Sequence, residues 1–142
     1  MSRNKELEQS YLVLVEFLML AKRRIIESAG EYGLTGMQAM TIFLLDRPRP
    51  MNSFGKIYNC DPSNVTGIID GLEDKGLVKR FENPKDRRIK MVEVCAEGVA
   101  IRADLLTQLT GPDSYMLRNL SSAEIEQFIG LVAKITGDEP KI

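Results

Sequence analysis

The feature that most constrains this chain is the run from Asp61 to Cys95, DPSNVTGIIDGLEDKGLVKRFENPKDRRIKMVEVC, because it carries its own start and stop signals. Asp61-Pro62 opens a helix: Asp is a favoured cap, and Pro is favoured at the first helical position, where its missing N–H has no partner to lose. Val65, Ile68, Ile69 and Leu72 then recur at i, i+3, i+4 and i+7, and Gly76 stands where a glycine terminates a helix. Leu77 to Glu82 and Ile89 to Cys95 alternate as strands, with Asn83-Pro84 supplying turn chemistry in the NPKDRR segment between them. Ahead of Asp61 a short helix through Tyr58 is expected, capped by Asn52 or Ser53. The tight turn at Asn59-Cys60 joins two helices in helix-turn-helix fashion.

The flanks are helical. Leu7, Tyr11, Leu14, Val15, Leu18, Ile25 and Ile26 recur at helical spacing from Lys5 to Ser28, and Ala29-Gly30 ends the run. Leu12, Val13, Phe17 and Met19 widen its apolar surface beyond one stripe, more than a single domain of 142 residues covers by itself, so a partner subunit is expected. Thr35 and Gln38 form a capping-box pattern for a second helix, which the prolines of RPRP at residues 47–50 end. Ala96 to Leu109 and Ser121 to Thr136 read as two more helices, separated by a break at Gly111-Pro112. The polar N-terminus lacks a secretory pattern, and the apolar run Tyr11 to Ala21, interrupted by Glu16, is far short of the ~20 residues that cross a bilayer. A cytoplasmic protein with no membrane partner is expected.

The chain has a net charge of −1, yet Lys75, Lys79, Arg80, Lys85, Arg87, Arg88 and Lys90 face only Glu82 and Asp86 between positions 75 and 90, a local excess of +5. A basic hairpin taken alone is ordinarily solvated surface. Directly after a helix-turn-helix it forms a winged helix, which presents that charge to DNA phosphates. The chain has no histidine and two cysteines, Cys60 and Cys95, so it lacks the side chains for a Ser-His-Asp triad or a structural zinc site. No enzyme activity, metal or cofactor is expected.

With these residues assembled, the segment Asp61 to Gly98 resembles the MarR family of winged-helix transcriptional regulators through D-P-S-x-x-T, D-x-L-E-x-x-G-L-V-x-R and P-x-D-x-R. The L-T-x-x-Q run at Leu34 to Gln38 adds weaker support. The resemblance implies a mainly α fold with a small β-hairpin wing. It would be a single domain over residues 1–142, with dimerisation helices at about 5–29 and 96–136 and a DNA-binding lobe at about 35–95. It implies a homodimeric regulator, a ligand-responsive repressor or else an activator, on double-stranded, pseudo-palindromic DNA. Ser63, Asn64 and Thr66 would face bases and phosphates, Arg88 with Arg87 would enter the minor groove beside Lys85 and Lys90, and Asp86 would hold the wing in shape through a salt bridge. It further implies a small phenolic or amphipathic effector, with Tyr11, Phe17, Tyr32, Met40 and Phe43 as candidate pocket residues. Gly67 and Gly71 stand where many relatives carry Arg or other long side chains.

Two alternative readings stand beside this one. Gly67, Gly71 and the acids Asp70, Glu73 and Asp74 suit a winged-helix protein-interaction module without sequence-specific DNA binding. Cys95, expected at a helix N-terminus where a thiol's pKa can fall, suits a thiol-based redox sensor. Cys60 is expected to be a buried, inert thiol that closes the helix-turn-helix.

Overall fold

The computed structural model describes residues 1–112, 114 and 116–137, so the last five positions of the expected 1–142 domain lie outside it. Its elements follow in order as α1 (Arg3–Gly30), α2 (Gly36–Leu44), β1 (Arg49–Pro50), α3 (Met51–Tyr58), α4 (Pro62–Asp74), β2 (Val78–Asn83), β3 (Asp86–Val94), α5 (Ala96–Thr110) and α6 (Ser122–Thr136). The three strands form one antiparallel sheet in the order β1-β3-β2. Among the described residues no helix is long and apolar enough to cross a membrane.

Local signals explain most boundaries. Both capping boxes close: Thr35 Oγ1 accepts from the Gln38 N–H while Gln38 Oε1 accepts from the Thr35 N–H, and Ser121 and Glu124 do the same for α6. At the end of α4, Gly76 takes φ +72°, its N–H bonds the Glu73 carbonyl, and the Leu77 N–H bonds the Leu72 carbonyl. That pair of bonds is a Schellman motif. It turns the chain straight from α4 into β2. Asn59 adopts φ 50° at the α3–α4 turn, a left-handed conformation that Asn tolerates better than most residues.

The structure departs from the sequence expectation in three places. First, α3 begins at Met51 with Pro50 as its cap residue, so Asn52 and Ser53 lie inside the helix. The cause is β1: Arg49 and Pro50 pair with Val92 and Met91, and the chain leaves the sheet directly into the helix. Ser53 Oγ donates to the Pro50 carbonyl at 2.6 Å. Second, Asp61 sits at the cap of α4 without a side-chain cap hydrogen bond. Third, Asp86, Arg87 and Arg88 belong to β3, so only Pro84 and Lys85 separate the wing's two strands.

The buried core joins Leu34, Ala39, Ile42, Leu45, Phe54, Val65, Ile69, Leu72, Leu77, Val78 and Val92 to Ala29 at the end of α1 and Leu105 on α5. Ile68, the remaining member of the α4 stripe, packs half-buried against it. Gly98 brings α5 onto this core: a Cβ built there falls 2.1 Å from the Leu77 carbonyl oxygen, so only glycine fits the approach as it stands. By contrast, α1 before Ala29 and the whole of α6 bury no residue fully. Leu7, Tyr11, Leu12, Val13, Leu18 and Met19 on α1 are exposed, as are Ile129, Leu131 and Ile135 on α6. Phe17 and Phe128 meet edge-on across the two helices with ring centroids 6.0 Å apart.

Candidate nucleic-acid interface

The helix-turn-helix of α3 and α4 packs on the core, and a part-buried polar link ties α3 to α2. Tyr58 on α3 and Thr41 on α2 share a 2.7 Å hydrogen bond, and Thr41 Oγ1 also lies 2.8 Å from the Met37 carbonyl. Burial pushes the Tyr58 phenol above its usual pKa, so it stays protonated and can donate. With Val65, Ile69 and Leu72 locked into the core, α4 turns Ser63, Asn64, Thr66, Gly67 and Asp70 outward. The Thr66 hydroxyl donates back to the Pro62 carbonyl at 3.0 Å.

On the wing, Arg88 grips Asp86. Nε and Nη2 of the guanidinium each lie 3.0 Å from a carboxylate oxygen, and the Arg88 backbone N–H adds a third bond at 3.1 Å. These bonds hold the Asp86 carboxyl below its usual pKa. The Arg88 side chain nevertheless remains 90% exposed. Its orientation is thus set without hiding its charge. The strand register explains the projection: Glu82 pairs with Lys90, but the next residue, Asn83, pairs with Asp86, leaving Arg87, Arg88 and Ile89 without counterparts on β2. The extra residues arch the tip outward.

The seven basic residues of the segment divide into two groups. Lys79 pairs with Glu93 at 3.1 Å, Lys90 with Glu82 at 3.3 Å, and Arg88 with Asp86. Arg80 is turned the other way, its guanidinium bridging Asp70 and Glu73 on α4. Its hydrogen bonds lower the Glu73 pKa. Among the described residues, Lys75, Lys85 and Arg87 make no ion pair. Sequence reasoning counted Arg80 with the wing and missed this clamp. The signal was present in the acids at i and i+3 on α4, but only the turn at Gly76 shows that Arg80 returns to them.

The candidate pocket residues are dispersed. A cleft of roughly 790 Å³ opens between α1, α2 and the end of α5, lined by Ile25, Phe43, Leu106 and Leu109 with Arg24, Glu31 and Gln108 among its polar groups. Phe43 lines it; Tyr11, Phe17, Tyr32 and Met40 do not. Tyr11 is exposed on α1, Phe17 faces Phe128, Met40 is half-buried on α2, and the Tyr32 hydroxyl lies 3.4 Å from Asp104 Oδ2. Cys95 takes the cap position of α5 without a side-chain cap bond, and Cys60 is half-buried against the core.

Comparison with known proteins gives the same architecture. The MarR family model matches residues 37–90, from the first turn of α2 to the wing. The transcriptional regulator BldR from Sulfolobus solfataricus superposes with a TM-score of 0.78 at 25% identity, covering 96% of this chain and 99% of its own. A MarR variant from E. coli, crystallised with operator DNA, superposes with a TM-score of 0.70 at 22% identity, covering 96% of this chain and 100% of its own. The uncharacterized HTH-type transcriptional regulator YhbI of Bacillus subtilis (strain 168) is 22% identical over 118 residues, 81% of this chain and 77% of that protein. The helix order and the three-stranded sheet with its wing give this chain the winged-helix fold of the MarR-type regulators, and the MarR family model matches the part of it from α2 to the wing.

Proposed function

We propose that this chain is a ligand-responsive transcriptional repressor that binds a pseudo-palindromic DNA duplex as a homodimer, with half-sites about 34–36 Å apart. The observation that carries the reading is the wing: a strand irregularity projects Arg87 and Arg88 beside Lys85, and Asp86 pre-shapes Arg88 while leaving it exposed. Ser63, Asn64 and Thr66 at the start of α4 would enter the major groove, and Lys90 would reach the backbone. No catalytic step or cofactor enters this function. Such a protein works beside the cell's DNA in the cytoplasm.

The dimer reading rests on apolar exposure. Ile135 is 74% exposed, Tyr11 66% and Ile129 61%, on the two helices that the core leaves almost untouched. Fully burying each such side chain against a second copy contributes about 1.5–3 kcal/mol. The cleft beside Phe43 supports an effector site, since it touches both α1, a dimerisation helix in this reading, and α2 of the DNA-binding lobe. An amphipathic ligand there shifts DNA affinity only by binding unequally to the competent and incompetent lobe spacings. The rival protein-interaction module loses much of its motive, because Arg80 already engages two of the three acids on α4.

Titrating the purified protein with short duplexes at several salt concentrations tests the function. Log affinity should fall steeply and linearly with log salt. Dimer that shows no salt-sensitive duplex binding rejects the proposal in favour of the interaction module.

A further inference from the structure

The groove-facing surface of α4 carries almost no free reading group beyond its first turn. Ser63, Gly67, Asp70 and Asp74 share that face by helical angle. Gly67 is exposed, and a Cβ built there meets nothing within 4 Å. On the flank, the space a Gly71 side chain would take is filled from α2: a Cβ there falls 2.5 Å from Gln38 Nε2, and Gln38 Oε1 is committed to the Thr35 N–H. Asp70 has the chemistry to accept from a cytosine amino group, but Arg80 holds its carboxylate, and it holds Glu73 as well. The Thr66 hydroxyl donates to its own helix. Asp74, at the far end, is repelled by phosphate.

Resting on the DNA-binding reading above, we infer that direct base reading by α4 is confined to Ser63 and Asn64, and that the remaining specificity comes from minor-groove shape beneath the wing. A helix rises about 1.5 Å per residue, so the silent stretch from Gly67 to Asp74 spans roughly three base steps of about 3.4 Å. Exposed Arg87 and Arg88 supply the complementary signal, because narrow A·T-rich minor grooves concentrate negative potential that attracts arginine. The duplex class this chain takes is therefore a short major-groove core flanked by A·T-rich segments under each wing.

Selection from a random duplex pool with the wild type, Gly67→Ala and Gly67→Arg tests this. Gly67→Arg should acquire a guanine preference at one position, roughly 5- to 150-fold, the range of a bidentate arginine contact. That position locates the base pair opposite the second turn of α4. There the wild type and Gly67→Ala should discriminate less than about 3-fold, below the usual cost of a mismatch. Under the wing, replacing A·T by G·C should lower affinity about 10-fold or more. Replacing it by inosine·C, which lacks the guanine amino group in the minor groove, should restore most of the binding. Strong wild-type preference opposite Gly67, no new preference in Gly67→Arg despite retained binding, or equal penalties for inosine·C and G·C would each overturn the inference while leaving DNA binding intact. Absence of salt-dependent binding to any duplex refutes instead the function on which it rests.

Discussion

One chemical change, Gly→Ala, should have three different outcomes in this chain, and the sign at each site follows from what the added methyl meets. At Gly98 the Cβ would lie 2.1 Å from the Leu77 carbonyl oxygen and 3.3 Å from Val94 Cβ. An ordinary C···O contact is about 3.3 Å, so backbone must separate by more than an ångström. The displaced oxygen is the acceptor of the 2.8 Å bond from the Cys95 N–H. Overpacking costs about 1–3 kcal/mol and the weakened hydrogen bond about 1 kcal/mol, against a helix-propensity gain of at most about 1 kcal/mol. The net loss is about 1–3 kcal/mol.

At Gly67 the methyl enters open solvent in a helix interior, and the same substitution should stabilise by about 1 kcal/mol. Gly71 falls between: its methyl displaces only the flexible end of Gln38, which costs part of the α2 capping box, about 0.5–1 kcal/mol, against a similar propensity gain. At about 2–4 °C per kcal/mol, Tm should fall by roughly 2–12 °C for Gly98→Ala, rise by roughly 2–4 °C for Gly67→Ala and barely move for Gly71→Ala. Thermal melts by circular dichroism at one fixed protein concentration check the series, since the proposed dimerisation would make Tm concentration-dependent. A Gly98→Ala protein melting at or above the wild type would refute the close approach of α5 to Leu77, just before β2.

Further outcomes bear on the interface. Removing the wing's carboxylate with Asp86→Ala should weaken duplex binding in fluorescence anisotropy, because Arg88 loses its three bonds; tighter binding would mean that only net charge matters. Placing a charge on the exposed face of α1 with Leu18→Asp should shift the protein toward monomer in light scattering and weaken binding to a two-half-site duplex; an unchanged dimer would exclude that face from the interface. The folded-state pKa values of Glu73 and Asp86 are depressed, so their pairing contributes above the ordinary carboxylate pKa of about 4 and is lost as pH falls through the lower folded values. Acid titration followed by hydrogen exchange at the α4–β2 junction should show this loss in the wild type. The acid-dependent part should shrink in Glu73→Gln.

The winged helix-turn-helix was legible because each of its boundaries is a local event. A glycine must take the left-handed position after α4, Pro62 must follow a cap residue, and a Thr/Gln pair can close a capping box within four residues. The wing's basic excess was legible for the same reason, as a count over neighbouring positions. Strand β1 was not, since a two-residue Arg-Pro strand shows no alternation and pairs only because β3 offers a free edge. The pocket residues were not either. Aromatic character alone cannot tell Phe43, which faces the cleft, from Phe17, which meets Phe128.

What the sequence determined by itself is therefore the six helices and the two wing strands, their order and the place of excess charge, all of which depend on spacings of a few residues. The tertiary structure decided which charges remain available and which surfaces remain uncovered. Arg80 and Arg87 look equivalent in a charge count, yet the chain reversal at Gly76 returns Arg80 to the acids of α4, while the strand irregularity projects Arg87 into solvent. Gly67 and Gly71 also look alike in sequence. Packing of α2 against α4 fills one with Gln38 and leaves the other open, because contact between elements distant in the chain depends on where each face points in space.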